Sequence, residues 1–172
     1  MDYIDGKFYL LTENDTYLID PDKDKITPSN LELEFGTMRS NGKLFFCESD
    51  YTSDELTVNI CNYDGSDKDD LTIPDIEESY VGYTNFNAFY MKNMNKAFLF
   101  IVDTLYAVDM KSMDYEEVDL PDNWDFANIR NFYVTSSDDG SRVFFTDGNT
   151  VIVTDGSLKE LFTININGGT IS

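Results

Sequence analysis

The sequence predicts an all-β fold built from four similar units of about 45 residues. One pattern, an apolar strand, a polar turn, a second strand and a closing aspartate, occurs three times almost unchanged: "GKFYLLTENDTYLID" at 6–20, "NKAFLFIVDTLYAVD" at 95–109 and "SRVFFTDGNTVIVTD" at 141–155. Aromatic residues make up 15% of the chain, and aromatic residues favour strands. Apolar residues at helical spacing with a cap are scarce, which argues against long helices.

The closing aspartates give the repeat its period. Asp20, Asp64, Asp109 and Asp155 follow one another at intervals of 44, 45 and 46 residues. The second copy, 42–64, is eight residues longer than the others, and we place the insertion in a longer hairpin loop within "ESDYTSDEL". The sequences that begin at Asp64 and Asp155 are also similar, as "DGSDKDDLT" and "DGSLKELFT". This pattern predicts a tight turn and then a third strand.

Each link between these hairpins contains one more predicted strand. The segments are "LELEFGTMRS" at 31–40, "YVGYTNFNAFYMKN" at 80–93 and "IRNFYVTSS" at 129–137. The first unit has only "MDYIDG" at the corresponding place, so we expect its first strand to be missing or to come from the end of the chain, "NINGGTIS". "IPDIEESY" at 73–80 predicts one turn of helix.

Four short strands in each unit of this length are typical of a β-propeller blade. We therefore predict a single β-propeller-like domain over 1–172, with units 1–30, 31–75, 76–123 and 124–172. The four units would close into a small toroid or form part of a larger propeller, and a homodimer is expected if the ring is incomplete. A sandwich or a solenoid is the remaining alternative.

The segment "NGKLFF … TVNICNYDGSDKDDLT", at 41–46 and 57–72, resembles bacterial propeller repeats. Similar repeats occur in the Tol-system periplasmic protein and in clostridial cell-surface proteins. The resemblance extends over nearly the whole chain. It implies a binding role, with another protein or a glycan as the ligand.

Charge and composition limit the partners. The net charge is −21, from 33 acidic and 12 basic residues, which disfavours nucleic acid and anionic membranes and favours a basic protein partner. Histidine is absent, which excludes histidine-based triads and histidine metal sites. The N-terminus lacks the features of a signal peptide, and no apolar run reaches the roughly 20 residues of a membrane helix. We expect a cytoplasmic protein or a domain excised from a secreted one.

The two cysteines, Cys47 and Cys61, lie on the two predicted strands of one hairpin. Bridges between adjacent strands are unusual. We predict two buried thiols that pack as small apolar groups.

Asp20, Asp22 and Asp24 have the alternating spacing of a calcium loop. Lys25 and Leu31 stand where such a loop needs glycine and glutamate, so we favour an acidic hairpin turn and keep calcium as a weak candidate cofactor. "DGSDKDD" at 64–70 receives the same interpretation.

A second turn motif lies further along the chain. Ser136, Asp138 and Gly140 occur in the order of the Asp-box turn of sialidase-type propellers, although Val143 departs from that motif. Such a turn would be structural.

Aromatic residues in the links are the best candidates for partner binding. They are Tyr80, Tyr83 and Phe86 in "SYVGYTNFNAFY" and Trp124 in "PDNWDF". Tyr and Trp anchor many interfaces. The alternative is that these rings pack blade against blade.

No nucleophile motif, phosphate loop or zinc signature is present in the sequence. The sequence therefore predicts a non-catalytic binding module without a cofactor that recognises a protein or a glycan through propeller loops. Two alternatives stay open: an acidic decoy that mimics nucleic acid toward a basic partner, and a calcium-stabilised extracellular domain.

Overall fold

The computed structural model describes residues 2–4, 7–12, 16–28, 37–48, 55–76, 86–119 and 132–165. Every regular element in these ranges is a β-strand, and the strands form four sheets of four antiparallel strands. No helix in the described ranges could cross a membrane. The fold is all-β and β-propeller-like, with each sheet a simple up-and-down meander, as in a propeller blade. We call the sheets blades 1 to 4. Two compact units, Met1–Tyr83 and Thr84–Ser172, contain two blades each.

Blade 1 is formed by the beginning of the chain. Its strands, in spatial order, are β1 (Asp2–Ile4), β2 (Lys7–Leu11), β3 (Thr16–Asp20) and β4 (Lys25–Pro28). Strand β1 pairs with β2 through three residues, so the N-terminus itself supplies the first strand. The prediction that this strand is missing is wrong, because three residues are enough to complete the sheet. The end of the chain, 166–172, lies outside the described residues.

Blade 2 contains the longest hairpin of unit 1. Its strands are β5 (Met38–Ser40), β6 (Lys43–Glu48), β7 (Glu55–Asn62) and β8 (Asp69–Pro74). Along β7 and β8 the apolar residues Leu56, Val58, Leu71 and Ile73 alternate with polar ones and are buried. The predicted insertion falls between β6 and β7, where 49–54 lie outside the described residues.

The predicted helical turn at 73–80 is partly replaced by strand. Ile73 and Pro74 end β8, where Ile73 pairs with Leu56. Proline at the last position of this strand keeps its sheet partner, because it lacks an amide donor but retains its carbonyl group. Residues 77–80 lie outside the described ranges.

Blade 3 is the most apolar sheet. Its strands are β9 (Phe86–Met91), β10 (Lys96–Ile101), β11 (Thr104–Asp109) and β12 (Tyr115–Glu117). In β10 every residue after Lys96 is buried, so both faces of this strand are covered. A strand with both faces covered shows a continuous apolar run, as "AFLFI" does.

Blade 4 completes the described chain. Its strands are β13 (Tyr133–Ser136), β14 (Arg142–Thr146), β15 (Thr150–Asp155) and β16 (Glu160–Asn165). A register shift between Val153 and Thr154 places a bulge in the β15–β16 pair. The repeated hairpins of the sequence thus correspond to the two central strands of each blade, and the links supply the first strand.

Within each unit, one blade packs its apolar side chains against the next. In unit 1, Tyr9 of blade 1 lies against Leu44, Cys61 and Tyr63 of blade 2, and the Tyr9 and Tyr63 rings meet edge to face with centroids 5.4 Å apart. In unit 2 the cluster is larger. It joins Phe89, Met91, Phe98, Phe100, Leu105 and Ala107 of blade 3 to Phe132, Val134, Val143, Phe145 and Ile152 on the blade 4 side.

Candidate functional site

The closing aspartate of each blade in unit 1 holds the turn that follows it. Asp20 Oδ1 accepts a hydrogen bond from the Lys23 backbone N–H at 3.3 Å. Asp64 Oδ1 accepts hydrogen bonds from both the backbone N–H and the hydroxyl of Ser66, at 3.0 and 2.6 Å. Aspartate is suited to this position because its short side chain reaches the backbone N–H groups two or three residues later.

The closing aspartates of unit 2 accept the same kind of hydrogen bonds from the turns that follow them. Asp109 Oδ1 accepts hydrogen bonds from the N–H groups of Lys111 and Ser112, at 2.8 and 3.1 Å. Asp155 Oδ1 accepts from Ser157 and Lys159, at 2.9 and 3.1 Å. The conserved spacing of the four aspartates within this chain therefore has a structural cause, which supports the interpretation of "DPDKDK" and "DGSDKDD" as acidic turns.

Hydrogen bonding keeps several of these carboxylates ionised. The pKa of Asp109 is lowered chiefly by the N–H groups of Lys111 and Ser112, and the pKa of Asp64 chiefly by the Ser66 hydroxyl. The Lys23 ammonium group lowers the pKa of Asp20. Each donor interacts better with the charged carboxylate than with the neutral acid.

The turn between β13 and β14 is held by Asp139. Asp139 Oδ1 accepts hydrogen bonds from the Ser141 N–H at 3.0 Å and from the Ser137 hydroxyl at 2.7 Å. These donors lower the pKa of Asp139 to about 2. The sequence motif had pointed to Ser136, Asp138 and Gly140, but the capping carboxylate belongs to the next residue, Asp139.

Ser136 and Asp138 instead contact the neighbouring blade. The Ser136 hydroxyl donates to Asn93 Oδ1 at 3.1 Å, and the Asn93 amide Nδ2 donates to the carbonyl oxygens of Ser137 and Asp138, at 2.5 and 3.3 Å. Asn93 lies in the β9–β10 turn, so one side chain ties together the first turns of blades 3 and 4.

Two further contacts extend this link to the other turns of unit 2. The Met110 N–H donates to the Asn95 carbonyl at 3.0 Å, which joins the two turns of blade 3. A methyl group added to Gly156 would lie 2.8 Å from the carbonyl oxygen of Gly140, so the two turns of blade 4 are packed as closely as glycine allows. We call this connected surface, formed by residues 92–95, 109–114, 137–141 and 155–159, the turn edge.

The turn edge is strongly polar. It carries five carboxylates and three ammonium groups, from Asp109, Asp114, Asp138, Asp139, Asp155, Lys92, Lys111 and Lys159. Side chains such as those of Asp114 and Asp138 are exposed. A fixed backbone with exposed charges can recognise a complementary charged surface on a partner.

The candidate calcium residues are arranged as a turn. Asp20 Oδ2 lies 2.9 Å from Lys23 Nζ, which is a cation already in place beside this carboxylate. Asp24 has a left-handed backbone with φ of 46° and ends the turn. In the described part of the chain, no three acidic or cysteine side chains converge as a metal site would need.

The predicted aromatic anchors separate into two groups. Phe86 is buried, with 5% of its surface exposed, so its ring is not presented to a partner. Tyr80, Tyr83 and Trp124 lie outside the described residues. Phe89 from the same aromatic segment packs against Phe132 and Tyr133, with ring centroids 6.1 and 5.3 Å apart, which confirms blade-to-blade packing for that ring.

Cys47 and Cys61 form no disulfide bond with each other, and the prediction of two buried thiols is confirmed for Cys61 only. Leu44 pairs with Cys61 and Cys47 pairs with Val58, so the two thiols lie three positions apart along the hairpin and on opposite faces of blade 2. Cys61 is buried, and burial raises its pKa. Cys47 is half-buried.

The sequence interpretation missed one feature of blades 1 and 4. Each has a sheet face with large exposed apolar side chains, among them Phe8 and Ile26 in blade 1 and Phe162 and Ile164 in blade 4. A signal exists in "KFYLL", where consecutive apolar residues put apolar groups on both faces of one strand. The sequence does not show which of the two faces a neighbour covers.

No family model matches the chain, and no curated protein matches it. Solved structures do match. Apo AztD from Citrobacter koseri is 17% identical with a TM-score of 0.61, and the match covers 98% of this chain and 46% of that one. A chain of a nidogen/laminin complex is 14% identical with a TM-score of 0.52, covering 93% of this chain and 59% of that one.

A third similar structure is dipeptidyl peptidase 4 of Porphyromonas gingivalis. It is 11% identical with a TM-score of 0.56, and the match covers 97% of this chain and 32% of that one. The chain therefore spans less than two thirds of each of these structures. At such low identity the matches show a shared fold alone.

Proposed function

We propose that this chain is a non-catalytic interaction module that binds another protein through the turn edge. The observation that carries the proposal is the continuous set of contacts that joins the four turns of unit 2. Asn93 links blade 3 to blade 4, and Met110 and Gly156 link the turns within each blade. Because these contacts hold the backbone in place, the turns themselves lose little further freedom when a partner binds.

The charge of the turn edge indicates the kind of partner. Hydrogen bonds favour the ionised carboxylates of Asp109 and Asp139, so both are charged at neutral pH. The whole chain carries a net charge of −21, which attracts cationic proteins over long distances at low salt. A partner with a basic surface fits both observations.

The similar structures support an interaction role in general terms. One of them is a chain within a nidogen/laminin complex. The resemblance of the repeats to Tol-system and clostridial cell-surface propeller repeats points in the same direction. Propellers bind through their connecting loops because loops vary while the sheets keep their shape.

A charge-neutralised variant of the turn edge tests the proposal. Asp114→Asn with Asp138→Asn removes two exposed carboxylates that lie outside the four closing positions. The matched control is Asp103→Asn with Asp119→Asn, which removes the same charge from exposed positions at the opposite edge of blade 3. Each tagged protein is used to capture partners from a lysate of its source, and retained proteins are quantified by mass spectrometry.

We expect a protein that the wild type and the control retain and that the turn-edge variant loses. Its affinity for the purified wild type should then fall by at least several-fold in the turn-edge variant. Equal retention by all three proteins would contradict binding through this surface.

The high negative charge favours one alternative, an acidic decoy for a nucleic-acid-binding protein. With 33 acidic against 12 basic residues, the chain could occupy a basic groove. Many dispersed charges would carry such binding, so affinity should fall steeply between 50 and 200 mM salt and DNA should compete. A partner that DNA does not displace, and whose binding depends on the turn edge, would exclude the decoy.

A further inference from the structure

One face of blade 1 carries apolar side chains on all four strands, which are exposed on β1, β2 and β4 and half-buried on β3. Its cross-strand row is formed by Tyr3 opposite Phe8, Phe8 opposite Ile19, and Ile19 opposite Ile26. Tyr3 is 64% exposed, Phe8 36% and Ile26 66%. We call this surface, together with Leu10, the blade 1 face. Large contiguous apolar surfaces of this kind generally mark an interface.

Blade 4 has a similar apolar row across β14, β15 and β16, of which Val153 is buried and only the residues of the outer strand β16 are exposed. Phe144 lies opposite Val153, which lies opposite Phe162, and Val151 lies opposite Ile164. Phe162 is 51% exposed and Ile164 is 49% exposed. We call these five residues the blade 4 face.

The packing within unit 2 shows how consecutive blades meet. Phe98 of blade 3 contacts Phe145 of blade 4 edge to face, with ring centroids 5.6 Å apart, and both rings are buried. Val143 belongs to the same cluster. We call the face of the earlier blade that carries Phe98 the forward face, and the face of the later blade that carries Val143 and Phe145 the receiving face.

Equivalent positions in the repeated sequence show which of the two exposed faces is a forward face and which is a receiving face. Counted back from the closing aspartates, Phe144 of blade 4 corresponds to Phe98 of blade 3. Tyr9 of blade 1 also holds this position, and it packs forward onto blade 2 in unit 1. The blade 4 face is therefore the forward kind of face.

Blade 1 supplies the receiving kind of face. Phe8 and Leu10 stand at the same distances from Asp20 as Val143 and Phe145 stand from Asp155. Val143 and Phe145 are the residues that receive blade 3 in unit 2. The two exposed faces are thus the two complementary halves of the blade-to-blade contact that this chain already makes within each unit.

We propose that two copies of this chain associate head to tail, with the blade 4 face of each copy packed against the blade 1 face of the other. A heterologous contact of this kind closes when each copy uses both of its faces. The pair would contain eight blades, within the range of about four to eight that natural propellers use. One copy spans 46% of apo AztD, so two copies hold about as much chain as that similar structure.

The residues of both faces are uncharged, so no like charges meet within this contact, although the net charge of −21 on each copy opposes association at low salt. The turn edge lies elsewhere in unit 2. Dimer formation therefore depends on different residues from those of the proposed function, and either proposal can fail while the other holds.

The experiment is the mass of the full chain in solution, measured by light scattering on a sizing column over a dilution series. The expected mass is twice the chain mass of 19.7 kDa. Phe162→Lys and Ile26→Lys each place a charge at an exposed position in one of the two faces, so folding should survive and circular dichroism should be unchanged. Each should weaken the dimer at least tenfold.

Thr163→Lys is the matched control. Thr163 is the exposed neighbour of Phe162 on the same strand, and its side chain lies on the other face of blade 4. This variant should remain dimeric. If Phe162→Lys fails to fold, Ile164→Lys tests the same face.

Three results would overturn the proposal. A wild-type monomer at all concentrations would mean that the faces are covered in another way, including contact between them within one chain. A dimer that survives both face variants would use another surface. Dissociation by Phe162→Lys without any effect of Ile26→Lys would indicate that two blade 4 faces pack against each other.

Discussion

At the residue scale, the turns depend on carboxylates that are hydrogen-bonded while they are charged. Asp139 accepts hydrogen bonds from the Ser141 N–H and the Ser137 hydroxyl, and these lower its pKa to about 2. An aspartate in an unfolded chain titrates near pH 3.9. The native state therefore gains stability from this group above about pH 4, and it loses that gain as the pH falls toward 2.

We predict that Asp139→Asn unfolds at a lower temperature than the wild type at pH 7, because the amide is a weaker acceptor for the two donors. The difference should shrink between pH 4 and pH 2, where the wild-type carboxylate becomes protonated. Thermal unfolding followed by circular dichroism from pH 7 to pH 2 measures both. Asp138→Asn, which removes a charge from the adjacent residue, is the control, and an identical pH profile for the two variants would contradict the assignment.

A second residue stores backbone strain in the β10–β11 turn. Val102 has a φ of 60°, in the left-handed region that β-branched residues rarely adopt. A positive φ of this kind costs an L-residue roughly 1–2 kcal/mol, and glycine adopts it without that cost. Of the two residues in this turn only the first, Val102, has a positive φ, and two-residue turns of that type favour glycine at the first position.

We therefore predict that Val102→Gly raises the free energy of unfolding by up to about 1 kcal/mol, because the relief of backbone strain exceeds the added entropy of the unfolded chain. Val102→Asn should gain less, because asparagine keeps a Cβ at this position. Urea denaturation of the three proteins measures the differences. A loss of stability in Val102→Gly would mean that the valine side chain contributes more through packing than its backbone costs.

At the scale of strands and sheets, the contact between blades 3 and 4 is the main apolar cluster of unit 2. Phe98 is fully buried and meets Phe145 edge to face. Removing a buried phenylalanine typically costs about 3–5 kcal/mol, from lost burial and the cavity that remains. We predict a loss of this size for Phe98→Ala in urea denaturation.

Glu116→Ala is the control in the same sheet. Glu116 is exposed and lies 3.6 Å from Lys96, and an exposed ion pair of this kind contributes about 0–1 kcal/mol. A loss below about 1 kcal/mol in Phe98→Ala would mean that the two blades do not depend on this cluster.

The hairpins could be predicted from the sequence because two local signals coincide in them. Alternating or continuous apolar residues specify the strands, and an aspartate after the second strand specifies the turn, as at Asp109 and Asp155. Strand β1 was missed because three residues, "DYI", carry too little pattern to recognise. The helical turn predicted at 73–80 is wrong at its start, where Ile73 and Pro74 end β8, because pairing with β7 extends the strand to Pro74.

The candidate site was less predictable for a physical reason. Asn93 acts through contacts with the neighbouring blade, and a single sequence does not show which turns meet. Asp139 acts within its own turn, but the sequence does not show which of Asp138 and Asp139 accepts the hydrogen bonds. The exposed faces of blades 1 and 4 follow the same strand patterns as buried faces. Coverage by a neighbour is a property of the assembled sheets, and each strand sequence is equally compatible with both outcomes.

At the scale of the whole molecule, the net charge of −21 opposes compaction. Salt screens this repulsion, with a Debye length of about 10 Å at 0.1 M. We predict that the melting temperature rises as NaCl increases from 10 to 300 mM, mostly below 150 mM. A melting temperature that falls over this range would show that attractive ion pairs, such as Lys23 with Asp20, outweigh the repulsion.

Calcium can be distinguished from general salt, because calcium bound at a specific site would raise the melting temperature more than charge screening alone. Ligands that bind the native state raise its melting temperature, and the rise grows with the logarithm of the ligand concentration once this exceeds the dissociation constant. In the one acidic triplet with suitable spacing, the Asp20 carboxylate already pairs with the Lys23 ammonium group at 2.9 Å. We therefore predict that millimolar CaCl₂ gives the same melting temperature as NaCl of equal ionic strength, and that a chelator has no effect. Asp22→Asn with Asp24→Asn should not change this outcome, whereas a calcium-dependent rise that these substitutions abolish would establish a metal site at this turn.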